Sequence, residues 1–144
     1  MSTIKKFLYL IFIDGLSGMA LGLFSTLIIG TILKQAADLI GGDFGYYLGV
    51  FAVMAQRLTG AGIGIGVAYK YKSSTYVTLS AAAAGMIGAY ATAIISGSIL
   101  SDGALVYSGP GDPLSAFIAA LAGITVGSLP AGKTKLDLLI TPAV

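Results

Sequence analysis

The sequence predicts an all-α, polytopic integral membrane protein with about four transmembrane helices, followed by the start of a fifth or of a re-entrant segment. Its composition is far more apolar than that of an average soluble domain, with 56% hydrophobic residues, 10% charged residues and a mean hydropathy of +0.93. Four apolar stretches fill the chain, and the charges of the loops between them alternate in sign. No linker or low-complexity tract divides the chain, so we treat residues 1–144 as a single transmembrane domain.

Each apolar stretch is long enough to cross a bilayer, since a spanning helix needs roughly 17 to 25 apolar residues. The first stretch also exceeds the apolar region of a signal peptide, which has only about 7 to 15 residues. The fourth only just reaches spanning length. After the last loop a short apolar run, "LDLLITPAV", begins, and we expect it to open a further part of a longer domain. The predicted spans are residues 7–33, 46–69, 76–100 and 113–129.

The loop charges predict which side of the membrane each loop occupies. Lysines occur in pairs at the N-terminus and in the second and fourth loops, whereas the first and third loops carry aspartates and a single lysine. Because cytoplasmic loops collect Lys and Arg, this pattern predicts a cytoplasmic N-terminus. The pairs are Lys5 and Lys6, Lys70 and Lys72, and Lys133 and Lys135, while the other two loops hold Lys34, Asp38, Asp43, Asp102 and Asp112.

The residue types present narrow the chemistry that the chain can perform. It has no histidine, cysteine or glutamate, so we predict neither a disulfide nor a soft-metal site, and we expect no cofactor. Acid or base catalysis is limited to aspartate, lysine, tyrosine and one arginine, and no catalytic constellation is evident. The basic residues lie in loops rather than in a stripe that could follow a backbone of phosphates, so we expect no nucleic-acid partner.

Glycines in the second stretch indicate close helix packing. Gly60 with Gly64, and Gly62 with Gly66, repeat the G-x-x-x-G spacing that lets helix backbones approach each other in lipid. An alternative interpretation is an unwound segment that lines a cavity, since irregular backbone at membrane depth is tolerated there. We favour packing, because neighbouring helices can use all four glycines without breaking a hydrogen bond.

Charged residues within the spans are the first candidates for a ligand site. Arg57, with Gln56 beside it, lies near the middle of the second stretch, where an arginine costs about 2.5 to 3.5 kcal/mol on insertion scales. Asp14 lies in the first stretch at a depth from which an ion pair with Arg57 is conceivable. The functional interpretation is a polar cavity in which Arg57 faces the hydroxyls or carboxylate of a ligand. The structural alternative is that Asp14 is a packing residue and that Arg57 snorkels or binds backbone carbonyls.

The segment "SGPGDP" has a local role and a candidate functional one. Its Gly-Pro-Gly forms a tight turn, Asp112 is a good helix cap and Pro113 suits the first position of a helix. We favour capping. The alternative is that Asp112 and the exposed amides of the turn line a ligand entrance.

Residues 127–134 match the phosphate-binding pattern G-x-x-x-x-G-K-[ST]. That loop works by following a strand and opening a helix in a soluble α/β domain, so that its amides cradle the phosphates. Here it follows a predicted membrane span, and we interpret it as a basic cytoplasmic turn. Lys133 remains a candidate for contact with an anionic ligand.

Two segments carry a resemblance to a known family. Residues 111–144, "GDPLSAFIAALAGITVGSLPAGKTKLDLLITPAV", and residues 56–72, "QRLTGAGIGIGVAYKYK", resemble the N-terminal part of EIIC-type membrane proteins of the bacterial phosphotransferase system, in the branch described as a second EIIC family. The resemblance implies a dimeric permease in the bacterial cytoplasmic membrane. Such a permease moves a sugar with coupled phosphorylation by IIA and IIB partner components.

The resemblance leaves a second function open. Better-known EIIC proteins hold sugar with a histidine and a glutamate, and these residues are absent from this stretch. Members of this branch also resemble proteins without evident phosphoryl-carrier partners. A non-transporting receptor or regulator with the same scaffold would bind an amphipathic ligand such as a fatty acid, with Arg57 or a cytoplasmic lysine as the partner of its carboxylate.

The predicted topology places Lys70 in the cytoplasm. We expect a cysteine that replaces Lys70 to resist a membrane-impermeant thiol reagent in intact cells and to react once the cells are opened. A cysteine that replaces Asp43, on the opposite side, is the control and should react in intact cells. Labelling of the Lys70 position in intact cells would overturn the topology.

Overall fold

The computed structural model describes residues 2–129, so Lys133 and the final apolar run lie outside the described residues. The described residues are mostly helical, as predicted. The helices are α1 (Thr3–Ile40), α2 (Gly42–Arg57), α3 (Thr59–Lys70), α4 (Thr75–Ala89), α5 (Ala91–Ile95) and α6 (Pro113–Gly127), and the strands are β1 (Leu100–Ser101) and β2 (Ala104–Leu105).

Helix α1 is a single continuous element of 38 residues with two π-helical turns. At 1.5 Å per residue it is roughly 57 Å long, well beyond the hydrocarbon thickness of about 30 Å. The π-helical turns cover Leu10–Gly15 and Phe24–Ile28, between α-helical segments Thr3–Tyr9, Leu16–Leu23 and Ile29–Ile40.

Helix α3 lies at the centre of the packed part of the molecule, between α1 and α4, and α6 packs against both α3 and α4. The buried core is built mainly from small and branched residues of these helices. We call this part the bundle; it comprises residues 10–23 of α1 with α3, α4 and α6. Its buried side chains include Ile63, Val67, Val77, Ala81, Ala116, Phe117 and Ile124.

The glycines of α3 are used on two opposite faces of the helix. On one face Gly60 and Gly64 meet the backbone of α4, and a methyl group on Gly60 would lie 2.7 Å from the carbonyl oxygen of Gly85. On the other face Gly62 and Gly66 meet the backbone of α1. Since α3 is helical throughout Thr59–Lys70, the packing interpretation of these glycines is confirmed and the unwound alternative is wrong.

The end of α1 and α2 form an antiparallel helical hairpin, which we call the arm and which comprises residues 29–57. Its two helices pack against each other and make few contacts with the bundle. Gly41 and Gly42 form the turn, and both have positive φ values, 67° and 64°, which only glycine adopts without strain. The sequence predicted a loop at residues 34–45, between the first two spans, but most of these residues are helical. Its polar residues Lys34 and Asp38 form an exposed i,i+4 ion pair of 3.9 Å on α1.

The predicted third span differs from the structure at its C-terminal end. The main helix ends at Ala89, and β1 and β2 then pair antiparallel around a turn at Asp102 and Gly103, whose φ values are 50° and 78°. An Asp-Gly pair favours such a two-residue hairpin turn. Residues 76–100 are therefore not one continuous helix, and their boundaries as a membrane span stay a prediction.

The described helices are consistent with a membrane protein. The predicted number of four spans stays a prediction. Helix α1 is long and apolar enough to cross a bilayer, and α2 with α3 would form a second span bent by 50°. Helices α4 and α6 are apolar and have 15 residues each. This length is below the roughly 17 residues that a perpendicular span needs.

The close approach of α1 and α3 makes a stability prediction. A methyl group on Gly18 would lie 2.5 Å from the carbonyl oxygen of Gly66, so we expect Gly18→Ala to force the two backbones apart at a cost of about 1 to 3 kcal/mol. The measurement is thermal or denaturant unfolding in detergent, followed by helical circular dichroism.

Gly49→Ala is the matched control for Gly18→Ala. Its methyl group would lie 3.8 Å from the Cβ atom of Ala37, which is an ordinary contact, so the substitution should be neutral or stabilise α2 by up to about 1 kcal/mol. Equal effects of the two substitutions would show that the glycine contacts do not hold the bundle together.

Candidate functional site

Arg57 is the last residue of α2 and lies at the bend between α2 and α3. A cation at the C-terminal end of a helix is favoured by the helix dipole. Its side chain is exposed, and the guanidinium carbon lies 5.5 Å from the ring centroid of Tyr107, in a cation–π contact. The sequence predicted that Arg57 lies near the middle of a continuous span. In the structure it lies at a break between two helices.

Two tyrosines connect Arg57 to the end of α4. The rings of Tyr107 and Tyr90 are 4.8 Å apart and inclined at 55°, and the buried Tyr90 donates a hydrogen bond of 2.6 Å to the carbonyl of Gly109. Tyr90 separates α4 from α5, and Tyr107 follows the hairpin. Sequence reasoning missed both residues, because the contact between Arg57 and Tyr107 joins positions that are distant in the chain.

The turn before α6 is held against the same end of α4. The amide of Asp112 donates to the carbonyl of Ala89 at 2.7 Å, and a methyl group on Gly111 would lie 2.6 Å from that same carbonyl. Gly111 has a φ of 77°, so both its conformation and its surroundings require glycine. The structure thus brings the predicted Arg57 and Asp112 segments to one end of α4.

Asp112 caps α6, in agreement with the structural interpretation of the sequence. One carboxylate oxygen accepts the amide of Leu114 at 3.0 Å and the other accepts the hydroxyl of Ser115. These bonds, chiefly that from Ser115, hold the pKa of the Asp112 carboxyl below its ordinary value near 3.8. Its predicted role at a ligand entrance stays a prediction.

Gln56 is half-buried and joins the two helices of the arm. Its side-chain amide donates to the hydroxyl of Thr31 on α1 at 3.2 Å, and its backbone carbonyl accepts the hydroxyl of Thr59 at 2.6 Å. The residue therefore already has structural partners, and its role in ligand binding stays a prediction.

Asp14 does not pair with Arg57. Asp14 lies in the first π-helical turn of α1, near the hydroxyl of Tyr71, which donates to the carbonyl of Leu10 at 3.0 Å. Burial and then the charge of Asp14 raise the pKa of Tyr71 above 10.0. Tyr71 follows one end of α3 and Arg57 precedes the other, so the 12 residues of α3, roughly 18 Å in length, separate Asp14 from Arg57.

Arg57 borders an open groove in the arm. The groove has a volume of about 650 Å³ and runs between the end of α1 and α2, over the glycines of the turn. Its polar lining consists of Lys34, Asp38, Tyr46 and Arg57, and Val50 and Met54 contribute apolar surface. Cationic, anionic, phenolic and aliphatic groups thus share one surface.

A second space lies beside Tyr107. It is an open pocket with a volume of about 430 Å³, lined by the end of α4, α5 and the hairpin, and its lining is almost wholly apolar. Tyr90 and Tyr107 belong to its lining, and Tyr107 is also the ring that the guanidinium of Arg57 contacts. The lining also includes Met86, Ile94, Leu100 and Leu105.

A long apolar helix, a bent apolar helix pair and glycine-mediated helix packing are features of a helical membrane protein. The chain belongs to the phosphotransferase system EIIC family, since the family model with that description matches residues 13–144. The match confirms the resemblance seen in the sequence and makes the chain a membrane component of the phosphotransferase system. Searches of curated proteins and of solved structures found no match.

The cap at Asp112 predicts a dependence of stability on pH. Because the pKa of its carboxyl is lower in the folded chain than its ordinary value near 3.8, the stabilisation is fully present above that value and is lost as pH falls through the folded pKa. We therefore expect the difference in melting temperature between wild type and Asp112→Asn to be constant at neutral pH and to shrink below about pH 4.

Ser115→Ala is the control for this titration. It removes the main donor to the carboxylate, so its melting temperature should depend on pH less than that of wild type. The measurement is thermal unfolding by circular dichroism in detergent between acid and neutral pH. A difference between wild type and Asp112→Asn that does not change over this range would contradict the assignment.

Proposed function

We propose that this chain forms part of a permease that moves a sugar or a related small molecule across the bacterial cytoplasmic membrane. In this proposal its transport is coupled to phosphorylation by IIA and IIB components. The family supports the class of protein. The observation that carries the site is the groove of the arm, which ends at an arginine whose charge has no acidic partner among residues 2–129.

The chemistry of the groove suits a polyhydroxylated ligand. Within the described residues the side chain of Arg57 makes neither a hydrogen bond nor an ion pair, so the donors of its planar guanidinium are available to hydroxyl or phosphate oxygens. Asp38 can accept hydroxyl protons, and the ring of Tyr46 offers a flat apolar face. A few placed polar groups on an otherwise apolar surface are the usual composition of a small-molecule site.

The outer surface of the arm fits contact with lipid or with a second copy of the chain. Large aromatic side chains on α2 are exposed, among them Phe44 at 68% and Phe51 at 58%. Large exposed apolar surfaces mark contact with membrane or with another protein. We retain the homodimer implied by the sequence resemblance, and the cytoplasmic N-terminus, as parts of the proposal.

A second candidate function is supported by the apolar cavity beside Tyr107. A non-transporting receptor that binds an amphipathic ligand such as a fatty acid needs an apolar space near one cation. The cavity of about 430 Å³ has an apolar lining, and one of its lining residues, Tyr107, is the ring that the guanidinium of Arg57 contacts. In this alternative a ligand would place its chain in the cavity and its carboxylate at Arg57.

Arg57→Ala tests the ligand role. Hydrogen bonds to a charged group contribute about 1.5 to 3 kcal/mol, so we expect the substitution to weaken ligand binding by roughly 10- to 100-fold. Lys70→Ala removes a predicted cytoplasmic cation at the opposite end of α3, and it should bind normally if Arg57 rather than a cytoplasmic lysine contacts the ligand. The measurement is sugar uptake into vesicles that contain the full chain with its phosphotransfer components, together with mass spectrometry of molecules that co-purify.

The two candidate functions predict different results. Sugar uptake that is lost in Arg57→Ala, with no retained amphiphile, supports the permease. An amphiphile that is retained by wild type and lost in Arg57→Ala supports the receptor. If Arg57→Ala matches Lys70→Ala in both measurements, Arg57 is not a ligand-binding residue.

A further inference from the structure

Two interruptions of regular helix lie side by side where the arm joins the bundle. In α1 the interruption is the π-helical turn Phe24–Ile28, and in the neighbouring antiparallel chain it is the bend of 50° at Leu58. Isolated π-helical turns within α-helices frequently occur at functional sites. The chain connects the arm to the bundle twice, once through the π-helical turn and once through the bend. These two segments lie next to each other.

Threonine hydroxyls link the two interruptions. The hydroxyl of Thr26, in the π-helical turn, lies 3.2 Å from that of Thr59, the first residue of α3 and fully buried. Thr26 is also 2.7 Å from the carbonyl oxygen of Gly22, and Thr59 is 2.6 Å from that of Gln56. The carbonyl of Gln56 belongs to the last turn before the bend.

The three contacts of the Thr26 and Thr59 hydroxyl groups cannot all be hydrogen bonds at the same time. Each hydroxyl has one proton to donate, so Thr26 and Thr59 together can fill two of the three contacts at any moment. When both donate to backbone carbonyls, no hydrogen bond joins α1 to α3 at this point. When either donates to the other, the cross-helix bond forms and one carbonyl loses its hydroxyl donor. The two arrangements differ only in the direction of one hydroxyl.

The packing on the two sides of this junction is unequal. On the bundle side glycine backbones interlock, and even a methyl group on Gly18 would overlap α3. On the arm side the last part of α1 packs along α2, while α2 makes few contacts with α3. The contacts that join the arm to the bundle are therefore few compared with those within each part, which is the arrangement found around a hinge.

We propose that Phe24–Ile28 and Leu58 form a hinge about which the arm swings relative to the bundle, with the bond between Thr26 and Thr59 as its reversible latch. The end of the arm is 12 helical residues, roughly 18 Å, from the hinge, so a swing of about 20° would move it by roughly 6 Å. Arg57 lies at the hinge, and the same motion changes its position relative to Tyr107. The inference does not depend on the identity of the ligand.

Distance measurements between spin labels test the hinge. The chain has no cysteine, so labels can be placed without background at Leu39→Cys, at the end of the arm, and at Leu79→Cys on α4. Leu79→Cys with Ile118→Cys on α6 forms a reference pair within the bundle. All these leucine and isoleucine side chains are exposed. Pulsed electron paramagnetic resonance would be recorded on the full chain in lipid nanodiscs, diluted with unlabelled protein.

We expect the arm pair to give a broader distance distribution than the reference pair. Thr26→Val and Thr59→Val remove the latch, so each should shift the arm distribution by several ångströms and leave the reference distance unchanged. Thr59→Ser keeps the hydroxyl and should behave as wild type. Thr125→Val is the matched control, because the hydroxyl of Thr125 donates to the carbonyl of Leu121 within α6 and to no other helix.

The proposal is overturned if the arm pair in wild type is as narrow as the reference pair and neither valine substitution changes it. It is also overturned if Thr125→Val or Thr59→Ser shifts the arm distribution as much as Thr59→Val does. The wild-type comparison of the two label pairs gives a result even if a valine variant fails to fold.

Discussion

The backbone of α3 is in close contact with two other helices at once, and the rest of the described structure depends on this constraint. In lipid there is little hydrophobic force between helices, so association relies on close packing. Gly60 and Gly64 admit α4 on one face, while Gly62 and Gly66 admit α1 on the other. A helix with side chains at these positions could make neither approach, and α6, which packs against α3 and α4, would lose its place as well.

This central position of α3 also determines where the charged groups lie. Arg57 precedes its first residue and Tyr71 follows its last, so the length of α3 keeps Arg57 apart from Asp14 near Tyr71. The guanidinium of Arg57 contacts the aromatic ring of Tyr107 rather than a carboxylate. A guanidinium that rests on a ring retains its hydrogen-bond donors for oxygen atoms of another molecule, which is why a ligand role at Arg57 is physically reasonable.

The sequence predicted the features that depend on local pattern. Glycine spacing indicated helix packing, and the Gly-Pro-Gly-Asp segment indicated a capped helix start at Pro113. It did not predict that α1 continues to Ile40, because hydropathy reports the environment of a residue and not its backbone conformation. Nor did it predict the contact of Arg57 with Tyr107, since that contact depends on a bend at Leu58 without proline and on the hairpin after α5.

The bend at Leu58 has a physical explanation in the residues around it. A break in a helix leaves carbonyls without their usual amide donors, and at membrane depth an unsatisfied carbonyl is costly. The hydroxyl of Thr59 supplies a donor to the carbonyl of Gln56, and the amide of Leu58 donates to the carbonyl of Ala55. Because these bonds are local, they stabilise the bend without fixing the arm against the bundle. The residues that stabilise the bend thus agree with the proposed hinge between arm and bundle.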